Sequence, residues 1–252
     1  QLITMLNQVK GVELALTTNG ALLPEQAQAL ADAGLKRVTV SLDSLDDKTF
    51  RAMNDADFPV ADVLDGIEAA VVAGLAPIKI NAMVQRGVNE DSVVELARYF
   101  KGSGHIVRFI EFMDVGMTNN WRPEDVCGGA DTVKRITAEF PAEPVSPAYR
   151  GEVAKRWRYI DGEGEFGVIT SVTEPFCGDC TRARLSAEGV LYTCLFAGEG
   201  TDLRDTLRSG GSDETLRALL SDIWSSREDR YSERRFEESK LPSRIEMSYI
   251  GG

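Results

Sequence analysis

The sequence predicts an α/β fold: βαβ units that form a parallel sheet or barrel, followed by a region of loops, short strands and a helical tail. Three observations carry this reading. Strand-like and helix-like stretches alternate through the first 113 residues, which is the signature of βαβ units. Those strands are polar at every second position, whereas a strand buried on both faces is apolar throughout. After Asp114 the alternation stops, and glycine, asparagine and proline punctuate the chain.

The chain opens at Gln1 on what reads as the end of a helix, with Ile3, Met5, Leu6 and Val9 before Gly11. A first residue other than Met leads to the expectation that further sequence precedes it. Residues 12–17 read as a strand, and Thr18-Asn19-Gly20 as a turn. Pro24 opens an alanine-rich helix ending near Gly34, as proline at the start and glycine past the end favour. Residues 37–42 are a second strand, followed by helices at 47–53 and 61–73. A third strand covers 77–84, a helix 91–101, and a fourth strand 106–112.

Val38, Val40 and Leu42 alternate with Thr39, Ser41 and Asp43, and Ile78, Ile80 and Ala82 with Lys79, Asn81 and Met83. Period-2 geometry sends the two sets to opposite faces. One face is expected to pack on helices, and the other to line a polar cavity, with Glu111 among apolar residues of the fourth strand. Beyond 114 the reading is of loops around one helix near 131–139. Short strands follow at 153–160, 166–171, 183–187 and 190–193, then helices at 202–208 and 213–226, a loose charged stretch at 227–240, and a close at 245–250.

The 252 residues carry 28 Lys and Arg against 40 Asp and Glu, a net charge of −12. Such a surface argues against nucleic acid as a partner and requires a local basic pocket for any anionic ligand. No run of eighteen or more apolar residues occurs, so no membrane helix is expected, and no basic, apolar segment reads as a secretory leader, so none is expected. Four cysteines are too few for a disulfide scaffold, and the crowding of three of them suggests ligation in a reducing compartment. The localisation expected is cytoplasmic.

The three are Cys177, Cys180 and Cys194: a C-x2-C pair around Gly178 and, after thirteen intervening residues, a third cysteine from the far side of a hairpin turning at Glu188-Gly189. Structural zinc would need a closed fourth ligand, for which Cys127 and the sole histidine, His105, are the candidates, neither with a partner at metal-ligand spacing. Three thiolates without a clear fourth suit a [4Fe–4S] cluster with one free corner, where a substrate atom can bind. Arg182 and Arg184 follow two apart, so an extended strand would point both to one side as an anion clamp. Lys79 and Arg108 add candidate positive charge; the competing reading pairs the two arginines with Asp179, Glu174 or Glu188.

At these residues the chain resembles the GTP 3′,8-cyclases, a family of radical S-adenosylmethionine (SAM) enzymes in molybdenum cofactor biosynthesis. The resemblance runs over essentially the whole chain. It is carried by Thr17-Thr-Asn-Gly20, Ser41-Leu-Asp-Ser-Leu45, Ile78-Lys-Ile-Asn81 and Arg108-Phe-Ile-Glu-Phe-Met113. The most specific markers are Phe176-Cys-x2-Cys-Thr-Arg-x-Arg-Leu185, Cys194-Leu-Phe and the terminal Ile250-Gly-Gly252. The resemblance implies a partial (β/α) TIM-like barrel in 1–113, with its first βα units upstream, and a C-terminal domain in 114–252. That domain would hold a second [4Fe–4S] cluster on Cys177, Cys180 and Cys194, whose free iron takes the purine base of GTP.

By the same resemblance, Thr17, Lys79, Arg182, Ala183 and Arg184 match GTP contacts, and Ser41 and Met113 match SAM contacts. Asn19, Asn81, Arg108, Gly251 and Gly252 are further site candidates. The implied reaction is cyclisation of GTP to (8S)-3′,8-cyclo-7,8-dihydroguanosine 5′-triphosphate. The implied partners are GTP, SAM, an unnamed reductant and a downstream cyclic pyranopterin monophosphate synthase; a second copy in a homodimer is a candidate on which the sequence is silent. The family's first, SAM-cleaving [4Fe–4S] cluster uses C-x3-C-x2-C, which this sequence does not contain. The expectation is therefore of an N-terminally truncated chain, inactive alone, with no catalytic residue of its own. The alternatives are another radical-SAM enzyme with an auxiliary cluster, or a zinc-stapled, non-catalytic module.

Overall fold

The computed structural model describes residues 1–54, 57–237 and 244–250. They form two compact units: residues 1–112 with 123–173, and 113–122 with the chain from 174 onward. The sequence reading ran the C-terminal domain without interruption from 114, whereas 123–173 group with the first unit because their strands extend its sheet.

The first unit begins with a short helix α1 (Leu2–Leu6), then β1 (Ala15–Thr18), α2 (Leu23–Asp32), β2 (Arg37–Ser41), α3 (Asp47–Asn54) and α4 (Val60–Val72). It continues with β3 (Lys79–Val84), α5 (Ser92–Phe100), β4 (Ile106–Glu111), α6 (Gly129–Glu139), β5 (Ala142–Val145), β6 (Lys155–Tyr159) and β7 (Glu165–Ile169). The sheet order is β1-β2-β3-β4-β7-β6-β5. β1 to β4 and β7 run parallel, and β6 and β5 complete the sheet antiparallel.

The alternation read from the sequence sets the two faces of this sheet. Val38, Val40, Ile80, Ala82, Val84, Val107 and Phe109 are buried in the helix-covered core, each large side chain contributing ~1.5–3 kcal/mol. Their neighbours Ser41, Lys79, Asn81, Met83 and Arg108 are only half-buried. Glu111 corrects the reading, because it shares the parity of Val107 and Phe109 and enters the core side, 2% exposed. There its carboxylate accepts from the backbone N–H of Gly129 (2.7 Å), Val172 (2.8 Å) and Thr173 (2.9 Å), and from the Thr173 hydroxyl. It is an internal brace that caps α6, whose first amide N–H groups lack helical partners.

The turn after β1 is packed, not merely exposed. A Cβ on Gly66 of α4 would lie 2.4 Å from the Gly20 carbonyl oxygen, so α4 can approach the Thr18-Asn19-Gly20 turn only as glycine. β5 was not read from the sequence because it contains Pro144. The structure tolerates that proline because β5 is the sheet edge.

The second unit holds β8 (Arg184–Leu185), β9 (Val190–Tyr192) and β10 (Thr201–Asp202) in a small antiparallel sheet ordered β10-β9-β8. α7 (Arg204–Arg208), α8 (Asp213–Ser225), α9 (Tyr231–Arg234) and α10 (Met247–Ile250) follow. Among the described residues no helix is long and apolar enough to cross a membrane.

The stretch expected to be loose is ordered over 227–237. Asp114, 3% exposed, pairs with Arg235 Nε (2.8 Å) and Arg244 Nη1 (2.9 Å) and accepts from the Tyr231 hydroxyl. Glu246 accepts from Met117 N (2.8 Å) and Thr118 Oγ1 (3.2 Å). These ties fasten the 113–122 segment to the described end of the chain. Residues 238–240 of the predicted loose stretch, and Gly251 and Gly252, lie outside the described residues.

Candidate functional site

Each unit carries a basic constellation. In the first, parallel register places Thr17 beside Thr39, Thr39 beside Lys79, and Ser41 beside Asn81, which is beside Arg108. All six project from the half-polar face. Arg108 Nε donates to Asn81 Oδ1 (2.9 Å) and its Nη2 to Thr39 Oγ1 (3.4 Å). Arg108 can lie across the sheet because its partner on β7 is Gly167, where a Cβ would come within 3.4 Å of the Arg108 Cγ.

A groove on this unit is lined by Lys79, Arg108, Tyr149, Glu152, Arg156 and Glu165. Burial and then the charges of Arg108 and Arg37 hold the Lys79 ammonium below its usual pKa. Burial likewise lowers Arg108. Two cations without enough counter-charge between them favour an anion. Asn19 is exposed in the turn, its Oδ1 accepting from Ala21 N (3.3 Å).

In the second unit the three cysteines lie on a short 3-10 turn at Cys177–Asp179, its following residue Cys180, and the strand exit after β9. β8 and β9 form the expected hairpin, with Arg184 opposite Tyr192 and Leu185 opposite Leu191. All three thiols are free and half-buried. Cys177 is near enough for its charge to raise the Cys194 thiol, which burial raises most.

Arg182 Nη2 donates to Cys180 Sγ (3.3 Å), and the Phe196 amide donates to Cys194 Sγ (3.4 Å). Burial would push the Cys180 thiol up, but hydrogen bonds from Arg227 and Arg182, with the Arg182 charge, bring it down to about 7. Arg184 is lowered by burial and by Arg182, against the pull of Cys194 and Cys180. Arg182 also rests over the Phe176 ring (5.2 Å), and its Nε is buried without a hydrogen-bond partner. Ala183 between the two arginines is exposed.

Among the described residues, no three His, Cys, Asp or Glu side chains converge tightly enough to hold a single metal ion. The fit to an iron–sulfur cube rests on donor chemistry: three free thiols, one shifted toward thiolate, ringed by guanidiniums that would offset an anionic cluster. On that ground the residues fit. The two candidates for a fourth ligand have other roles. Cys127 is 2% exposed in the core of the first unit, with its thiol raised chiefly by burial. His105 Nδ1 accepts from Ile78 N (3.4 Å).

Sequence reasoning missed the arginines beyond 226. Arg227 Nη1 donates to the Cys180 carbonyl (2.7 Å). Arg230 pairs with Glu233 (2.5 Å), and α9 packs against the cysteine turn. The available signal was the crowding of arginines near Trp224 in an acidic chain. Met113 lies in the second unit, half-buried, its carbonyl accepting from Asn119 Nδ2 (2.8 Å).

Comparison with known proteins decides the family. The family described as Molybdenum Cofactor Synthesis C matches residues 105–233, and the Radical SAM superfamily matches residues 1–100. A GTP 3′,8-cyclase of Acidothermus cellulolyticus is 50% identical, the match covering all of this chain and 77% of that protein. The chain belongs to the GTP 3′,8-cyclase family. A GTP 3′,8-cyclase of Xanthomonas campestris pv. campestris is 52% identical over 100% of this chain and 74% of its own length. One of Staphylococcus carnosus is 44% identical over 100% and 75%. Among solved structures, a radical SAM methyltransferase from Sphaerobacter thermophilus aligns at 19% identity and a TM-score of 0.40, covering 49% of this chain and 36% of that one. This last likeness is too slight to argue from. Family membership agrees with the parallel α/β sheet, so the fold is that of a radical-SAM α/β protein.

Proposed function

We propose that this chain acts in the radical-SAM cyclisation of GTP to (8S)-3′,8-cyclo-7,8-dihydroguanosine 5′-triphosphate, the opening step of molybdenum cofactor biosynthesis. The observation that carries the reading is a three-cysteine loop ringed by arginines in a chain 50% identical to a GTP 3′,8-cyclase over its whole length. When bound, a [4Fe–4S] cluster and SAM supply the radical chemistry, and the protein supplies geometry and charge.

On this reading Cys177, Cys180 and Cys194 hold the substrate-side cluster, and the second unit forms the surround in which it sits. Arg182 and Arg184 offer guanidinium donors to the nucleotide, with the Ala183 backbone exposed between them. Lys79 and Arg108, lowered by burial and by mutual repulsion in the case of Lys79, gain most from a triphosphate that restores their counter-charge. Thr17, Ser41, Asn81 and Met113 line the polar sheet face or the start of the second unit, where they orient substrate and SAM and exclude water. Holding the two reacting carbons of GTP together is the chain's main contribution.

The test is isothermal titration of GTP into the anaerobically reconstituted chain. Binding that is lost with Arg182→Ala or Arg184→Ala supports the reading. A reconstituted chain that takes up iron but gives no heat with GTP defeats it, in favour of another radical-SAM enzyme with an auxiliary cluster.

A further inference from the structure

The end of α8 and the six residues after it form a support under the cysteine turn. The Arg227 side chain is only 11% exposed although it stands just past the C-cap of α8, Ser226. Its guanidinium lies over the Trp224 ring (4.9 Å), its Nε donates to Asp229 Oδ2 (2.9 Å), and its Nη1 donates to the Cys180 carbonyl (2.7 Å). Three independent contacts thus fix one planar group. A planar fork pre-organised on an aromatic face and a carboxylate loses little freedom when it donates.

The partner it reaches is the residue whose sulfur Arg182 also addresses, at 3.3 Å. Cys180 therefore meets one arginine from two residues on in its own loop and one from the tail. The tail continues the support, since Glu233 pairs with Arg230 and α9 packs on the 177–179 turn. Hydrogen bonds and positive charge beside a cluster thiolate stabilise the reduced, more negative state and so raise its potential. They also hold the ligand in place.

We propose that Arg227 is a positioning residue for Cys180: clamped by Trp224 and Asp229, it fixes the Cys180 backbone and sets both iron retention and cluster potential. The proposal rests on the reading that Cys177, Cys180 and Cys194 hold an iron–sulfur cluster. Arg227 is assigned no contact with substrate.

The experiment uses the full chain reconstituted anaerobically with iron and sulfide alone. Iron per chain, far-UV circular dichroism and the midpoint potential by redox-poised EPR are measured for the wild type, Arg227→Gln, Arg227→Lys and Asp229→Asn. Arg227→Gln is expected to keep the fold and shift the reduced-to-oxidised ratio at fixed potential about tenfold toward oxidised, which is ~59 mV for one electron. Arg227→Lys keeps the charge without the fork and falls between it and the wild type. Asp229→Asn loosens the guanidinium and moves the potential the same way by less, and it carries the test should Arg227→Gln fail to fold. Loss of iron from a folded Arg227→Gln chain also supports the role. Iron content unchanged and a reduced-to-oxidised ratio within threefold of wild type at the same poised potential, in both Arg227→Gln and Asp229→Asn, overturn it. A wild-type chain that takes up no iron instead overturns the cluster reading itself, a distinguishable failure.

Discussion

Replacing Asp114 with Ala would leave the guanidiniums of Arg235 and Arg244, 3% and 6% exposed, without their shared carboxylate. Removing one partner of a buried pair costs ~3–5 kcal/mol because an uncompensated charge stays out of water. Here one carboxylate serves two cations at 2.8 and 2.9 Å and also accepts from Tyr231, so the loss belongs at the upper end, about 5 kcal/mol. That is comparable to the whole stability of a small domain, ~5–15 kcal/mol. The damage should fall on the second unit, since Arg235, Arg244 and Tyr231 all lie there. Hydrogen exchange followed by mass spectrometry is the assay. Peptides covering 231–237 and 244–250 should lose protection in Asp114→Ala, while those of β2 to β4 keep theirs. A loss under about 1 kcal/mol in urea unfolding, with tail protection unchanged, would refute the reasoning.

The remaining predictions concern binding, pH and the first unit. Arg184→Ala should weaken GTP binding about 10- to 100-fold, the equivalent of ~1.5–3 kcal/mol for a charge-assisted contact, and leave iron content unchanged; iron loss would mark the residue as structural. Glu111→Ala strips the acceptor from three backbone N–H groups in the core, at ~1–3 kcal/mol each. It should therefore cost several kcal/mol by urea unfolding, and a cost below about 1 kcal/mol would show the brace to be dispensable. Asp43 has its carboxyl pushed up to about 6, chiefly by burial and against the hydrogen bond from Met83 N. With the folded value above the unfolded one, its ionised form costs stability at neutral pH, and that cost fades as pH falls through 6 toward 4. The gap corresponds to ~3 kcal/mol. Asp43→Asn, which keeps the acceptor, should thus stabilise the chain at pH 8 and change little at pH 4; identical unfolding midpoints at pH 8 would contradict this.

The parallel strands were legible because period-2 alternation is local: Val38 to Asp43 and Ile78 to Met83 each announce two faces within six residues. Helix ends were legible from Gly34 and Gly74, which close α2 and α4 at φ +106° and +79°. The cysteine hairpin followed from spacing alone. What escaped was non-local or apparently forbidden. Pro144 hid an edge strand that only its place in the sheet permits. Glu111 was placed by charge toward a cavity, although its parity with Phe109 pointed into the core. The ordered tail was invisible because Arg235 and Arg244 find their carboxylate 121 and 130 residues away. No helical or strand period announces such a pairing, and a run of like-sized charges reads as solvated chain.

The claim on which the account turns is that Cys177, Cys180 and Cys194 hold a cluster whose free corner takes GTP. The most direct measurement is EPR of the reduced, reconstituted chain, with iron and sulfide analysis, before and after GTP. The expected result is about four irons and four sulfides per chain, loss of iron on Cys180→Ser, and a changed signal when GTP binds. A colourless chain carrying one zinc, or an iron signal that GTP leaves unaltered, would contradict it.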